Sequence, residues 1–262
     1  MISLLLALAA VQAEPPVQSQ TQPLSDQEAY ARCAALVKSD AAGAVAIAND
    51  WLVKGGGIFA RQCAGQAHAA LGQWDAAAAA FSEAAREAET GVDPRRADFW
   101  VQAGNAWLAA GNGVKAREAF GKALATALLA PQLRGEVYLD RGRAGVLLND
   151  IAGARSDINE GLKLVPNDPF GWYISSALAL KEGLLARAQD DIAEAVRLAP
   201  EDPDLLVHAG NVAGISGDIE AAKGLYAKAI RVAPESKAAE AARAALAANA
   251  APPESPPQPQ SR

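Results

Sequence analysis

Three segments decide the fold: Ala154–Pro166, ARSDINEGLKLVP; Ala188–Pro200, AQDDIAEAVRLAP; and Ala222–Pro234, AKGLYAKAIRVAP. Their prolines lie 34 residues apart, as do their opening alanines and the large residues Ile158, Ile192 and Tyr226, each four positions after its alanine. A fixed period of this size marks a chain built from repeated supersecondary units. The flanks of each segment read as helix boundaries. Asp168-Pro169 and Asp202-Pro203 set a capping carboxylate before a proline of the first helical turn. Gly183 and Gly217 fall where a left-handed turn residue is wanted, and Asp150 and Asp218 are placed to cap the helix that follows. Each unit is therefore two amphipathic helices.

Working outward, Trp100, Ala103-Gly104, Trp107, Ala116 and Phe120 form one more unit, with its proline late, at Pro131. Tyr138, Gly142, Ala154, Ile158 and Pro166 form the next. Trp172, Ala188, Ile192 and Pro200 follow, with Ser176 where glycine is expected, and Leu206, Ala209-Gly210, Ala222, Tyr226 and Pro234 complete the last. Upstream, Gly65, His68, Ala77 and Phe81 fit without a closing proline, and the first unit keeps only Ala44. This pattern resembles the tetratricopeptide family, whose helix pairs have a 34-residue length and an aromatic, Leu-Gly, Tyr, Ala, large residue, Pro signature. The resemblance implies an all-α fold, a right-handed superhelix (α-solenoid) of about six stacked units near 25–57, 58–96, 97–134, 135–168, 169–202 and 203–236, closed by a capping helix at 237–249. Insertions at Thr90–Asp98 and Thr126–Arg134 are expected to lengthen helices or loops around the third unit. The motif residues are a packing code: the small ones let helices touch, and Trp100, Phe120, Trp172 and Tyr226 fill the gaps.

Bulk properties narrow the function. The chain has 262 residues, 51% of them hydrophobic, only 5% aromatic, and long alanine runs such as Ala76–Ala80. Alanine is the best helix former, and no alternating β-branched run argues for a sheet. The net charge of −6, with no basic stripe, opposes nucleic-acid partners. Residues 1–13 are apolar apart from Ser3 and Gln12 and end in Val11-Gln12-Ala13, which reads as a short signal peptide. The segment is too short to span a bilayer, so no stable membrane insertion is expected. Residues 14–24 read as a Pro/Gln linker and 250–262 as a disordered Pro-rich tail. Export, the Ala/Arg-rich composition and a resemblance to exported tetratricopeptide proteins of Gram-negative bacteria place the chain in the periplasm or outside the cell; the competing reading is an ordinary N-terminal tail on a cytoplasmic chain. Export would put Cys33 and Cys63 in an oxidising compartment. They sit on the first helices of units one and two, neighbours in this architecture, so a disulfide is feasible if the side chains face each other; two buried free thiols are the alternative.

No chemistry declares itself. His68 occupies the tyrosine column and reads as a core residue, and His208 has no Cys or His at i+4 to share a metal. Gly55-Gly56-Gly57 lacks the Gly-Lys-Ser/Thr of a phosphate loop. Asp157, Glu160, Asp190 and Asp191 lie on second helices, which in the family face outward, and read as solvated. No catalytic residue, metal, cofactor or small-molecule substrate is expected, and the partner is a protein or peptide. In the family the first helices line the concave face. Projected here, the groove takes Phe59, Gln62 and Gln66 from unit two and Asp98, Val101, Asn105 and Leu108 from unit three. Glu136, Leu139, Arg143 and Val146 follow from unit four, Phe170, Tyr173, Ala177 and Lys181 from unit five, and Asp204, Val207 and Asn211 from unit six. An apolar surface with scattered polar groups suits an extended peptide or a helix. Some tetratricopeptide domains grip a C-terminal carboxylate; Asn105 and Arg143 stand in the matching columns, but Gln62, Gln66 and Leu139 replace the rest. Arg143 can instead pair with Glu136 or Asp140. The leading reading is a non-catalytic protein-interaction scaffold binding a protein segment in this groove; the alternative is an envelope chaperone or assembly factor holding clients there.

Overall fold

The structure, a computed structural model, describes residues 24–250. The leader, the linker as far as residue 23 and the tail from residue 251 lie outside them. The described residues form thirteen α-helices and no strand. They pair as α1 (Asp26–Ser39) with α2 (Ala41–Val53), α3 (Gly57–Ala70) with α4 (Trp74–Thr90), and α5 (Arg96–Ala109) with α6 (Gly113–Leu124). Then come α7 (Pro131–Leu147) with α8 (Ile151–Leu164), α9 (Pro169–Lys181) with α10 (Leu185–Leu198), and α11 (Pro203–Ile215) with α12 (Ile219–Val232). The last helix is α13 (Lys237–Ala250). Each pair packs on the next, giving an α-solenoid of six pairs and a closing helix.

Local chemistry places the boundaries. Asp168 and Asp202 accept from backbone N–H groups at 2.9 Å ahead of a proline, and Asp150 and Asp218 cap α8 and α12 at 3.1 and 3.0 Å. At the N-terminus Ser25 and Glu28 exchange hydrogen bonds in a capping box. Gly183 and Gly217 take φ of 74° and 88° in their turns, and Asn149 does the same work in the fourth pair at φ 58°. Of the two insertions, Thr90–Asp98 begins at the last residue of the 17-residue α4 and makes the 91–95 connection and the first turn of α5. The other makes the 125–130 connection and a 17-residue α7, pinned where Arg134 donates to the Leu124 carbonyl at 2.9 Å.

One contact recurs inside the pairs. A Cβ placed on Gly65, Gly104, Gly142 or Gly210 would fall 2.6, 2.5, 2.8 and 2.6 Å from Phe81, Phe120, Ile158 and Tyr226. Each partner lies 16 residues further on and is buried. The missing side chain lets a ring or branched chain press on the backbone of the first helix. Trp100 is buried and donates Nε1–H to Glu89 at 2.7 Å. Trp172 differs from expectation: it is half-buried and donates Nε1–H to the Pro166 carbonyl at 2.8 Å, tying the inter-pair turn rather than filling the core.

Several polar residues also differ from their sequence reading. Asp191 is 6% exposed; its Oδ2 accepts from Ser175 Oγ at 2.6 Å, and Ser175 Oγ accepts in turn from Arg155 at 2.7 Å. Arg155 also binds Glu182. Asp157 makes a two-bond pair with Arg141 at 2.8 and 2.6 Å. These acids on second helices face inward because an arginine or serine on a neighbouring helix meets them, which is the condition for burying a charge. His68 is half-buried rather than core: it lies in the last turn of α3, and its Nδ1 lies 2.7 Å from Gln73 Oε1.

At the N-terminal end α1 packs on α3, and Cys33 and Cys63, both buried, meet there with Cα atoms 6.1 Å apart and sulfurs in bonding contact.

The close contacts predict opposite outcomes for two glycines of the last pair. Gly210→Ala forces a methyl against Tyr226 and should destabilise by about 1–3 kcal/mol. Gly224, within α12, has open space around it, so Gly224→Ala should stabilise by about 0.5–1 kcal/mol. Urea unfolding followed by circular dichroism measures both; a common sign would contradict the packing described.

Candidate functional site

First helices α5, α7 and α9 run side by side, and two adjoining cavities lie along them. The first, about 390 Å³, is lined by Asn105, Leu108, Glu136, Leu139, Asp140, Arg143, Asp168 and Phe170. The second, about 450 Å³, is lined by Leu108, Arg143, Val146, Phe170, Tyr173, Ile174, Ala177 and Lys181. Leu108, Arg143 and Phe170 belong to both, so the two form one continuous groove. Phe170 follows Pro169 at the start of α9, where it is 45% exposed. Its ring stacks on Tyr173 with centroids 5.8 Å apart, and the Arg143 guanidinium lies 5.3 Å from its centroid. Tyr173 in turn meets His208 of α11 edge-on at 4.8 Å.

The groove changes charge along its length. At the first cavity Glu136, Asp140 and Asp168 face a single cation, Arg143, which Asp140 already holds at 2.8 Å. Burial pushes the Asp140 carboxyl above its ordinary value; Arg143 opposes the shift, and Glu136 and Asp168 add to it. In the second cavity the charged groups are Arg143 and Lys181. A carboxylate clamp on Asn105 and Arg143 is therefore disfavoured: both residues reach the same cavity, but three carboxylates share it.

The remaining sequence-derived residues divide. Val101, 9% exposed, is packed into the core around Trp100, and Leu139, 2% exposed, is enclosed near Gly161 and Gly171. Val101 lines neither cavity, and Leu139 lines the first with almost no exposed surface. The resemblance to the tetratricopeptide family put them on the concave side, and neighbouring helices cover them. Phe59, Gln62 and Gln66 are half-buried on α3, away from the two cavities. Phe59 lies against Tyr30 and under Arg95, and Gln66 donates to the Tyr30 hydroxyl at 2.9 Å. Val207 packs partly against the last core cluster, and Asn211 accepts from the Tyr226 hydroxyl at 2.8 Å. Asn105, Arg143, Phe170, Tyr173 and Lys181 are the expected residues the structure brings together with usable surface.

Sequence reasoning weighed His208 only as a metal ligand and missed its place beside Tyr173 and Ser176. Ser176 donates its hydroxyl to the Ala188 carbonyl at 2.8 Å, so toward His208 Nε2, 3.1 Å away, it acts as acceptor and Nε2 carries the hydrogen. The signal was Ser176 itself, a hydroxyl in a column of glycines that needs a partner when buried. Among the described residues no group of three or more His, Cys, Asp or Glu is placed to hold a metal ion, and no helix is long and apolar enough to cross a membrane.

No family model matches the chain, and no curated protein matches its sequence. Solved structures do match its shape. The type IV pilus biogenesis factor PilW superposes with a TM-score of 0.68 at 17% identity, covering 84% of this chain and 98% of that one. A thermophilic TPR protein of Thermus thermophilus gives 0.59 at 20% identity, over 71% and 97%. YrrB, a TPR protein with an unusual peptide-binding site, gives 0.51 at 20% identity, over 83% and 97%. At these identities the likeness is one of fold, and the fold is that of the tetratricopeptide repeat.

His208 predicts a pH dependence. Burial disfavours its imidazolium and holds its pKa below the ordinary 6.5. The folded chain therefore binds fewer protons than the unfolded one below that value, so stability present at neutral pH is lost as pH falls through 6.5 and beneath it. His208→Gln should lose less stability between about pH 7.5 and pH 5 than the parent chain. Equal losses in urea titrations at the two pH values would contradict this.

Proposed function

We propose that this chain is a non-catalytic interaction scaffold that binds an extended or helical segment of another protein along α5, α7 and α9. The observation that carries the reading is the continuous groove of two cavities joined at Leu108, Arg143 and Phe170. A half-exposed phenylalanine in a concave surface gains when a partner covers it, by about 1.5–3 kcal/mol for full burial of such a side chain. Stacked aromatics with a cation beside them make a rigid anchor that loses little entropy on binding. YrrB, a neighbour in fold, is described by a peptide-binding site.

The same reading places the scaffold in an envelope or extracellular compartment, delivered by residues 1–13, with Cys33 and Cys63 joined. A bridge closing a loop of 30 residues would stabilise the first two pairs by about 3–4 kcal/mol. Mass spectrometry of protein from its native compartment should find no free thiol, and reduction should lower the unfolding midpoint of the N-terminal pairs. Two alkylatable cysteines would refute this part of the proposal.

For the groove, the test is selection from a displayed random dodecapeptide library. The parent chain should enrich a related set of peptides, and Phe170→Ala with Tyr173→Ala should weaken their binding by about tenfold or more. Peptides that bind the parent and the double variant alike would place the binding surface elsewhere.

A further inference from the structure

We infer that the segment bound in this groove carries a lysine or arginine whose cation enters the first cavity, beside an apolar or aromatic side chain seated in the second. The inference rests on the groove reading above and gives it a chemistry. The first cavity gathers Glu136 and Asp140 from α7 and Asp168 from the N-terminus of α9, against Arg143 alone. Arg143 is engaged by Asp140 at 2.8 Å. Glu136 accepts only from the Gln132 amide, at 3.1 Å; Asp168 accepts from its own helix's Phe170 N–H. Neither has a cation among the described residues. Three carboxylates from two helix pairs thus meet with one positive charge, and a guest cation restores the balance. Burial is the main cause of the upward push on the Asp140 carboxyl, and Arg143 opposes it; Glu136 and Asp168 add smaller contributions in the same upward sense.

The neighbouring surface fixes what stands beside that cation. Leu108 and Phe170 form the wall common to both cavities, and Val146, Tyr173 and Ile174 line the second. Residues i and i+2 of an extended segment lie on one face about 6.6–7 Å apart, and residues i and i+3 or i+4 of a helix do likewise. Either places a basic and an apolar side chain into adjacent cavities. Lys181, exposed at the far end of the second cavity, discourages a second basic residue there. The arrangement is the reverse of a clamp for acidic C-termini.

The test uses the peptides enriched from the dodecapeptide library, synthesised with a fluorophore and measured by fluorescence anisotropy. A lysine or arginine should recur two to four positions from a leucine, phenylalanine or tyrosine. Replacing it by norleucine should weaken binding by about tenfold, and raising salt from about 50 to 300 mM should weaken the basic peptide more than the norleucine one. Glu136→Gln, which removes charge without touching the core, should weaken the basic peptide several-fold and leave the norleucine peptide unchanged. Its unchanged thermal unfolding would confirm an intact fold. Enriched peptides that lack a basic residue, that need a free C-terminal carboxylate, or that ignore Glu136→Gln would overturn the cation site and leave the scaffold standing. If nothing enriched distinguishes the parent from the Phe170→Ala, Tyr173→Ala variant, the groove itself falls, and this inference with it.

Discussion

In four of the six pairs, a glycine α-carbon on the first helix is pressed by a large side chain 16 residues further along the chain. The contact fixes how closely two helices approach, and it can be made in only one register. It also covers only one face of the pair. The opposite face stays apolar and has to be covered by the next pair, so the chain extends by stacking. The core is accordingly a series of local clusters, the largest running from Ala77 to Ala144. First helices are left in a row along one edge, which is where the groove lies.

The fifth pair departs from this rule, and the departure lies beside the groove. Ser176 stands where four other pairs have glycine, and its hydroxyl is satisfied by the Ala188 carbonyl and His208. Its neighbour Ser175 joins Arg155 and Asp191 in a second buried network. α9 is thus held by polar contacts to α8, α10 and α11. Such contacts are directional, so they fix the rotation of α9 more strictly than apolar packing alone. That rotation orients Phe170 and Tyr173. A local break in a packing code, supported by a fully satisfied polar network, is where function tends to reside.

Much of this was legible in the residues. The period of Pro166, Pro200 and Pro234 and the capping aspartates are local or repeating signals, and α8, α9, α11 and α12 begin directly after those aspartates. Groove residues were legible only in part. The family resemblance puts Val101 and Leu139 on the concave side, but the depth of cover depends on how neighbouring pairs overlap, and both are largely buried. Glu136, Asp140 and Arg143 share one helix and can be read together, whereas Asp168 reaches the same cavity from the next pair. The inward turn of Asp157 and Asp191 depends on Arg141, Arg155 and Ser175 arriving from other helices. Facing of Cys33 and Cys63 is likewise a matter of helix rotation, which spacing alone leaves open.

Stacking without a central core has a direct signature in hydrogen exchange. Tyr226→Ala removes the large side chain from the last complete pair. If pairs lean only on their neighbours, mass spectrometry of amide exchange will show lost protection in α11, α12 and α13 while α3 to α8 exchange as in the parent chain. Equal loss of protection throughout the chain would mean a single cooperative core, and would contradict the stacked architecture on which the groove depends.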